Sequence, residues 1–211
     1  MNKGTDTRGT AILAKDGLAL TNIQRLPSER GMYASFRGIL LVNIYAPSGA
    51  EKRREREAFC NTEVVHLIPY PSTAMILAGD FNCVLTNDDC TGQRNYSRTL
   101  ARLIHGLVDV WETTPTRTAY THYTATGASR IDRIYVTRDL RMREQGAETL
   151  AADFTDRFAI ILRLTMDVPC STRGKGYWRM NVSFLSDTSF PQTTNENWEN
   201  NGHIWNIIQT E

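Results

Sequence analysis

Histidine and cysteine are both scarce in this 211-residue chain, with four copies of each. Cys60, Cys83, Cys90 and Cys170 form no CxxC pair and have no histidine at ligand spacing, which argues against both a zinc site and a disulfide framework. Net charge is nearly absent at +1, so no global field recruits a polyanion, and any nucleic-acid site has to be a local patch. No apolar run approaches the roughly 20 residues a membrane span requires, and the polar start MNKGTDTRGT is no secretory signal. A reducing, intracellular setting without membrane attachment is expected.

What is present is the composition of a folded protein, with 41% hydrophobic and 22% charged residues. The first part reads as short strands separated by turns: Gly9 to Leu13, Ala34 to Phe36, and Gly38 to Tyr45, the last with a core, Ile39 to Ile44, that looks buried on both faces. That strand expects covering neighbours the sequence does not visibly provide, which predicts a marginally stable fold with exposed apolar surface. The run Glu51 to Glu57 opens a helix with Cys60, Val64, Leu67 and Ile68 on one face and Pro69 and Pro71 behind it, and its own alternating charges read as a solvated surface. Thr73 to Ala78 is a further strand. Leu100, Leu103, Ile104 and Leu107 repeat at helical spacing behind Ser97, a candidate cap, and Val108 to Trp111 returns to a strand. Tyr120 to Thr124, Arg130 to Val136 and Phe158 to Leu164 complete the set. Strands punctuated by two well-spaced helices, without regular βαβ alternation, predict an α+β fold: a two-sheet β-sandwich flanked by helices. Beyond about residue 165 the texture becomes rich in asparagine and tryptophan, so 1–165 is read as one domain and 166–211 as a linker or the start of another unit.

Chemistry is expected where the strand Thr73 to Ala78 runs into Gly79-Asp80-Phe81-Asn82. A carboxylate and an amide two residues apart point the same way in an extended segment and can share one substrate atom. An ordinary turn after a strand explains those four residues equally well. Arg94, Arg98, Arg102 and Arg117 lie near Tyr96 and Tyr120 in sequence and suit a phosphate track with stacking rings, while solvated surface charge is the plainer reading of each. His66, His105 and His122 have no partners at metal spacing and are assigned no role.

Four segments in order, Asn43 to Gly49, Gly79 to Asn82, Ser129 to Val136 and Thr155 to Ile160, resemble the motifs of the endonuclease/exonuclease/phosphatase superfamily. Gly9 to Leu13, Asp109 to Trp111, Tyr120 to Tyr123 and Gly174 to Asn181 narrow the resemblance to the DNA-nicking endonucleases of non-LTR, LINE-type retrotransposons. The resemblance implies that Asp80 orients or deprotonates the attacking water, Asn82 holds the phosphate or a metal-bound water, Tyr45 donates to a phosphate oxygen, and Asp156 lies at the metal. It implies Mg2+, with Mn2+ as an alternative, and DNA as the partner. It also implies a reverse transcriptase domain in a longer polyprotein beyond 166–211, and a monomer working in the nucleus.

Two departures stand out. The family's last motif ends Ser-Asp-His, its histidine oriented by the aspartate that Asp132 matches; here the position is Arg157, which cannot titrate near neutral pH. A direct Asp132–Arg157 salt bridge is expected in its place. Family members also have two strands before the one matching Gly9 to Leu13, the second carrying a metal-binding glutamate, so the domain reads as N-terminally truncated. The leading reading is therefore a DNA-nicking domain by descent with little or no activity. An active phosphatase or phosphodiesterase on a small phosphorylated substrate and a non-catalytic nucleic-acid or protein-binding remnant are the alternatives.

Overall fold

A computed structural model describes residues 10–68, 73–92, 95–111, 120–151 and 155–166. Strands β1 (Thr21–Arg25), β2 (Gly31–Phe36) and β3 (Ile39–Tyr45) are followed by helix α1 (Arg53–Thr62), β4 (Met75–Asp80), helix α2 (Arg98–Leu103) and β5 (Val108–Asp109). Then come β6 (His122–Thr124), β7 (Gly127–Ser129), β8 (Asp132–Val136), the short helix α3 (Arg138–Arg141), β9 (Glu144–Ala151) and β10 (Phe158–Leu164). Six strands form one sheet in the order β1-β2-β3-β4-β8-β5, while β9–β10 and β6–β7 are two-stranded ladders.

The alternating strands have two apolar faces, and each is covered. Val42, Ile44, Met75, Leu77 and Tyr135 meet Phe59 and Val64 of the α1 region and Leu100 and Ile104 of the α2 region. Leu41, Ile76, Ala78, Ile134 and Val136 on the opposite face meet Ile160, Leu162 and Leu164 of β10, with Ile12, Leu18 and Leu20 laid against them. This is the expected α+β sandwich with helices outside. The neighbours that Ile39 to Ile44 seemed to lack are β2, antiparallel to it, and β4, parallel to it, so the expected exposure of this strand is not found. The β2–β3 hairpin closes through Arg37 and Gly38, both at positive φ, the two-residue turn whose twist matches the strands.

Several boundaries differ from the sequence reading, each for a local reason. Gly9 lies outside the described residues, and Thr10 to Leu13 form no strand: Ala11 offers its carbonyl to the Asn43 side-chain amide at 2.9 Å rather than to a ladder. The helix expected to carry Cys60 through Ile68 ends at Thr62 and continues as a 3₁₀ turn, Val64–Leu67, where Thr62, Val64 and Val65 bring β-branched crowding. Pro69 and Pro71 lie outside the described residues. Strand β5 stops at Asp109, whose carboxylate takes the Trp111 amide at 3.0 Å and turns the chain. The polar, largely exposed β1 and β9 carried no apolar alternation and were missed. Ser97 caps α2 as expected, accepting from the Leu100 amide at 3.0 Å.

Two buried arginines hold the loops in place, and one of them, Arg56, departs from the solvated-surface reading of its charge run. Arg56, 1% exposed within the alternating-charge run, donates to the Pro47 carbonyl (2.6 Å), the Gly49 carbonyl (3.2 Å) and Asn95 Oδ1 (2.6 Å), and Asn95 in turn donates to the Asn82 carbonyl (3.0 Å). Arg133 reaches Asp89 at 2.6 Å and Asp109 at 2.9 Å, and Arg130 joins the same two carboxylates at 2.8 and 3.0 Å. Burial alone would raise the Asp89 carboxyl, but the Arg133 and Arg130 guanidiniums outweigh it and hold the group at about 2.

A carboxyl depressed in the fold stabilises it above the ordinary value near 4 and loses that contribution as pH falls towards about 2. Arg133→Met removes the buried one of the two guanidiniums that Asp89 and Asp109 share and leaves them to Arg130, and urea unfolding at pH 7 is expected to show a loss of about 3 kcal/mol, with a flatter pH dependence between 4 and about 2. A loss below about 1 kcal/mol would show that the network is not a structural tie.

Candidate active site

The candidate site is one row across the sheet. Tyr45 ends β3, Asp80 ends β4 and Asp132 opens β8; Asp80 is the register partner of both. Side chains at paired positions share a face, so this row lies on the β9–β10 side, while Arg133, next in β8, points to the helix side. Close approach of β3 and β4 requires Gly79, at φ +142°, because a Cβ there would collide with the Ile44 backbone.

Asp80 and Asn82 do not project together from extended chain. Asn82 sits at φ +49°, its backbone N–H donating to Asp80 Oδ1 at 2.8 Å and its side-chain amide to the Ala46 carbonyl at 2.9 Å. The turn alternative holds for the backbone, and Asn82 ties the end of β4 to the end of β3.

Arg157 approaches from the start of β10. It forms a bridge with His122, and the Phe158 amide bonds the Thr121 carbonyl at 2.8 Å, so β6 sets its position. Its Nη1 lies 3.0 Å from Asp132 Oδ2, 3.2 Å from Asp132 Oδ1 and 3.3 Å from Asp80 Oδ2. The expected salt bridge is thus present, with Asp80 as a second partner. Asp80 Oδ2 is buried and makes no hydrogen bond, facing the guanidinium at ion-pair distance only. Burial pushes the Asp80 carboxyl up to about 7, helped by Asp132 and opposed by Arg157 and by the Asn82 amide. Burial also raises Asp132, against the pull of Arg157.

Thr121 and His122 were missed by the sequence reading. Buried Thr121 accepts the Asp132 amide on its Oγ1 at 3.1 Å. His122 Nε2 lies 3.3 Å from Asp156 Oδ2, and burial followed by Arg157 lowers its pKa, with Asp156 and Asp132 opposing. Their only signal was adjacency to Tyr120 in a segment already noted. Asp156, 61% exposed, faces His122 and, at 3.9 Å, Arg157. Of the suggested phosphate track, Arg94 and Arg117 lie outside the described residues. Arg98 is exposed at the start of α2 on the helix-covered side, whereas Tyr120 stacks edge-on against Tyr123 at 6.2 Å beside β10.

A family model described as "Endonuclease/Exonuclease/phosphatase family" matches residues 4–187. The chain belongs to that family. It is 32% identical over 182 residues to the "Transposon TX1 uncharacterized 149 kDa protein" of Xenopus laevis, a match covering 81% of this chain and 13% of that protein. Among solved structures it resembles an AP endonuclease from Archaeoglobus fulgidus (TM-score 0.57, 19% identity, 67% of this chain and 69% of that one). It also resembles the 3′ phosphatase NExo from Neisseria bound to product DNA hairpin (TM-score 0.56, 18% identity, 67% and 69%). These two likenesses establish the fold. Family membership and the transposon relative together support a nuclease-like phosphodiesterase function.

The family is typically dependent on a divalent metal. Whether the present residues suit one is decided by the Asp80–Asp132 row. Among the described residues no three His, Cys, Asp or Glu side chains converge on one point. The inward oxygens of Asp80 and Asp132 both face Arg157 Nη1, a fixed cation that opposes a divalent ion by like charge and occupies the oxygens that would hold it. With Arg157 in place the residues do not fit a divalent ion.

Because Asp132 is buried and Arg157 only 20% exposed, their pairing belongs near the buried limit. In a double-mutant cycle read by urea unfolding, Asp132→Asn and Arg157→Met are each expected to destabilise, with a coupling of about 3 kcal/mol. Additive losses would mean that the two side chains do not interact in solution.

Proposed function

We propose that this chain is the phosphodiesterase-fold domain of a retrotransposon polyprotein, one that engages DNA backbone but nicks it poorly. The observation that carries the second half is the contact of Arg157 with both Asp80 and Asp132. A base at Asp80 suits the reaction class, since a carboxyl near neutrality can take a proton from water at working pH. The same carboxylate is held against a guanidinium, and Arg157 cannot release a proton near neutral pH as a histidine would. Arginine does bind phosphate well, so retained binding with weak turnover is the combined consequence.

The transposon relative, of which this chain spans 13%, supports the polyprotein setting. In that setting 1–165 is the nuclease-like unit, 166–211 leads towards a reverse transcriptase, DNA in the nucleus is the substrate, and the nuclease unit is a monomer. The assignments of Tyr45 as phosphate donor and Asn82 as phosphate holder belong to this reading, while Asp156, which the resemblance puts at the metal, faces His122 and Arg157 instead. The geometry favours Asp80, Asp132 and Arg157 as its centre. No helix among the described residues is long and apolar enough to cross a membrane.

The test is a gel assay of supercoiled plasmid with magnesium or manganese, beside a fluorescence titration of duplex DNA. Binding that weakens with salt, without nicking above background, is expected. Robust nicking that EDTA abolishes and Asp80→Ala removes would overturn the low-activity reading. Absence of any DNA binding would overturn the DNA assignment itself.

A further inference from the structure

Helix α1 sends one buried cation, Arg56, to the ends of β3 and β4, where it donates to three neutral oxygens. Its Nη1 meets the carbonyls of Pro47 (2.6 Å) and Gly49 (3.2 Å), in the loop that follows Tyr45, and its Nη2 meets Asn95 Oδ1 (2.6 Å). Asn95 Nδ2 donates to the Asn82 carbonyl at 3.0 Å, and Asn82 Nδ2 donates to the carbonyl of Ala46, the residue before Pro47, at 2.9 Å. The bonds close into a ring that runs Arg56, Asn95, Asn82, Ala46, Pro47 and back. A planar guanidinium fork serves three acceptors in fixed directions, which a lysine ammonium on a flexible stem does not.

The ring bears on Asp80 through Asn82. That residue stands at φ +49°, a backbone conformation uncommon outside glycine, and its two ring bonds hold it there. In that position its backbone N–H reaches Asp80 Oδ1 at 2.8 Å, while Asp80 Oδ2 makes no hydrogen bond. The carboxyl is fixed by one oxygen, and the other is left to the groups facing it across the sheet, Asp132 on β8 and Arg157 on β10. We propose that Arg56 is a positioning residue for Asp80, acting through Asn95 and Asn82 to set which carboxyl oxygen is tied down and which is free to take a proton. The inference rests on the reading of Asp80 as the proton-accepting group, but the orientation itself is measurable without DNA.

The test is NMR of the Asn82 backbone amide in the full chain, followed through the Asp80 titration near about 7, together with its hydrogen exchange. An N–H bonded to a carboxylate shifts as that carboxylate ionises, so in the native chain the Asn82 amide is expected to follow Asp80. Asn95→Ala leaves the Arg56 bonds to Pro47 and Gly49 in place and cuts only the link to Asn82. In Asn95→Ala and in Arg56→Lys the pH response of the Asn82 amide is expected to fall to about half or less, and its exchange to quicken about tenfold. Val64→Ala, a truncation in the core beside α1 that touches no member of the ring, is the control for general loosening and is expected to keep the full response. If Arg56→Lys cannot be recovered folded, Asn95→Ala carries the test. An undiminished Asn82 response in folded Asn95→Ala would overturn the proposal, and so would an equal loss in Val64→Ala. A native chain that binds no DNA, with the Asn82 response behaving as expected, would count against the functional reading and leave the positioning role standing.

Discussion

Two carboxylates, Asp80 and Asp132, face each other across adjacent strands with almost no access to water, and the fold is arranged so that this pair is tolerated. The sheet register creates the juxtaposition, because β4 and β8 pair Asp80 directly with Asp132. Gly79 lets β4 run close enough to β3 for that register to extend to Tyr45. The β6 segment, through Thr121 and His122, delivers Arg157 to a position from which one guanidinium group reaches both acids. On the other face, Arg133 and Arg130 neutralise Asp89 and Asp109, so the two faces of one sheet solve the same charge problem with different pairs.

The strands and helices were legible where they carried apolar periodicity. Phe158–Leu164 and the α2 stripe behind Ser97 are the clearest cases, because each has enough alternating or helical repeats to reveal which face is buried. β1 and β9 were not legible, since their residues are polar and mostly exposed and pairing alone makes them strands. Asp80, Asp132 and Arg157, which the fold brings together, were singled out because ordered segments along the chain matched a family pattern. Arg56, Asp89 and Thr121 were not. Their partners lie far off in sequence: Arg56 meets Asn95 39 residues away and Arg130 meets Asp89 41 residues away, and no local pattern distinguishes such an arginine from a solvated one. Asn82 shows the opposite failure, where strand alternation was extended one turn too far into a residue at positive φ.

Arg157 also separates what ancestry provides from what this chain does. The scaffold is that of the endonuclease/exonuclease/phosphatase family, and the acids at the end of β4 and the start of β8 stand at its proposed centre. A guanidinium cannot share a proton with its aspartate as an imidazole can, and it fixes a positive charge between the two acids. With arginine at position 157 the buried acids remain neutralised.

The central claim is that Arg157 sets the ionisation of the Asp80–Asp132 pair, and carboxyl carbon NMR of these two residues across pH 4 to about 9 tests it most directly. The account predicts that Asp80 keeps its proton well above the ordinary carboxylate range in the native chain, and keeps it to still higher pH in Arg157→Met, since the cation that favoured ionisation has gone. Titration of Asp80 near 4 in both proteins, unmoved by the loss of Arg157, would contradict it.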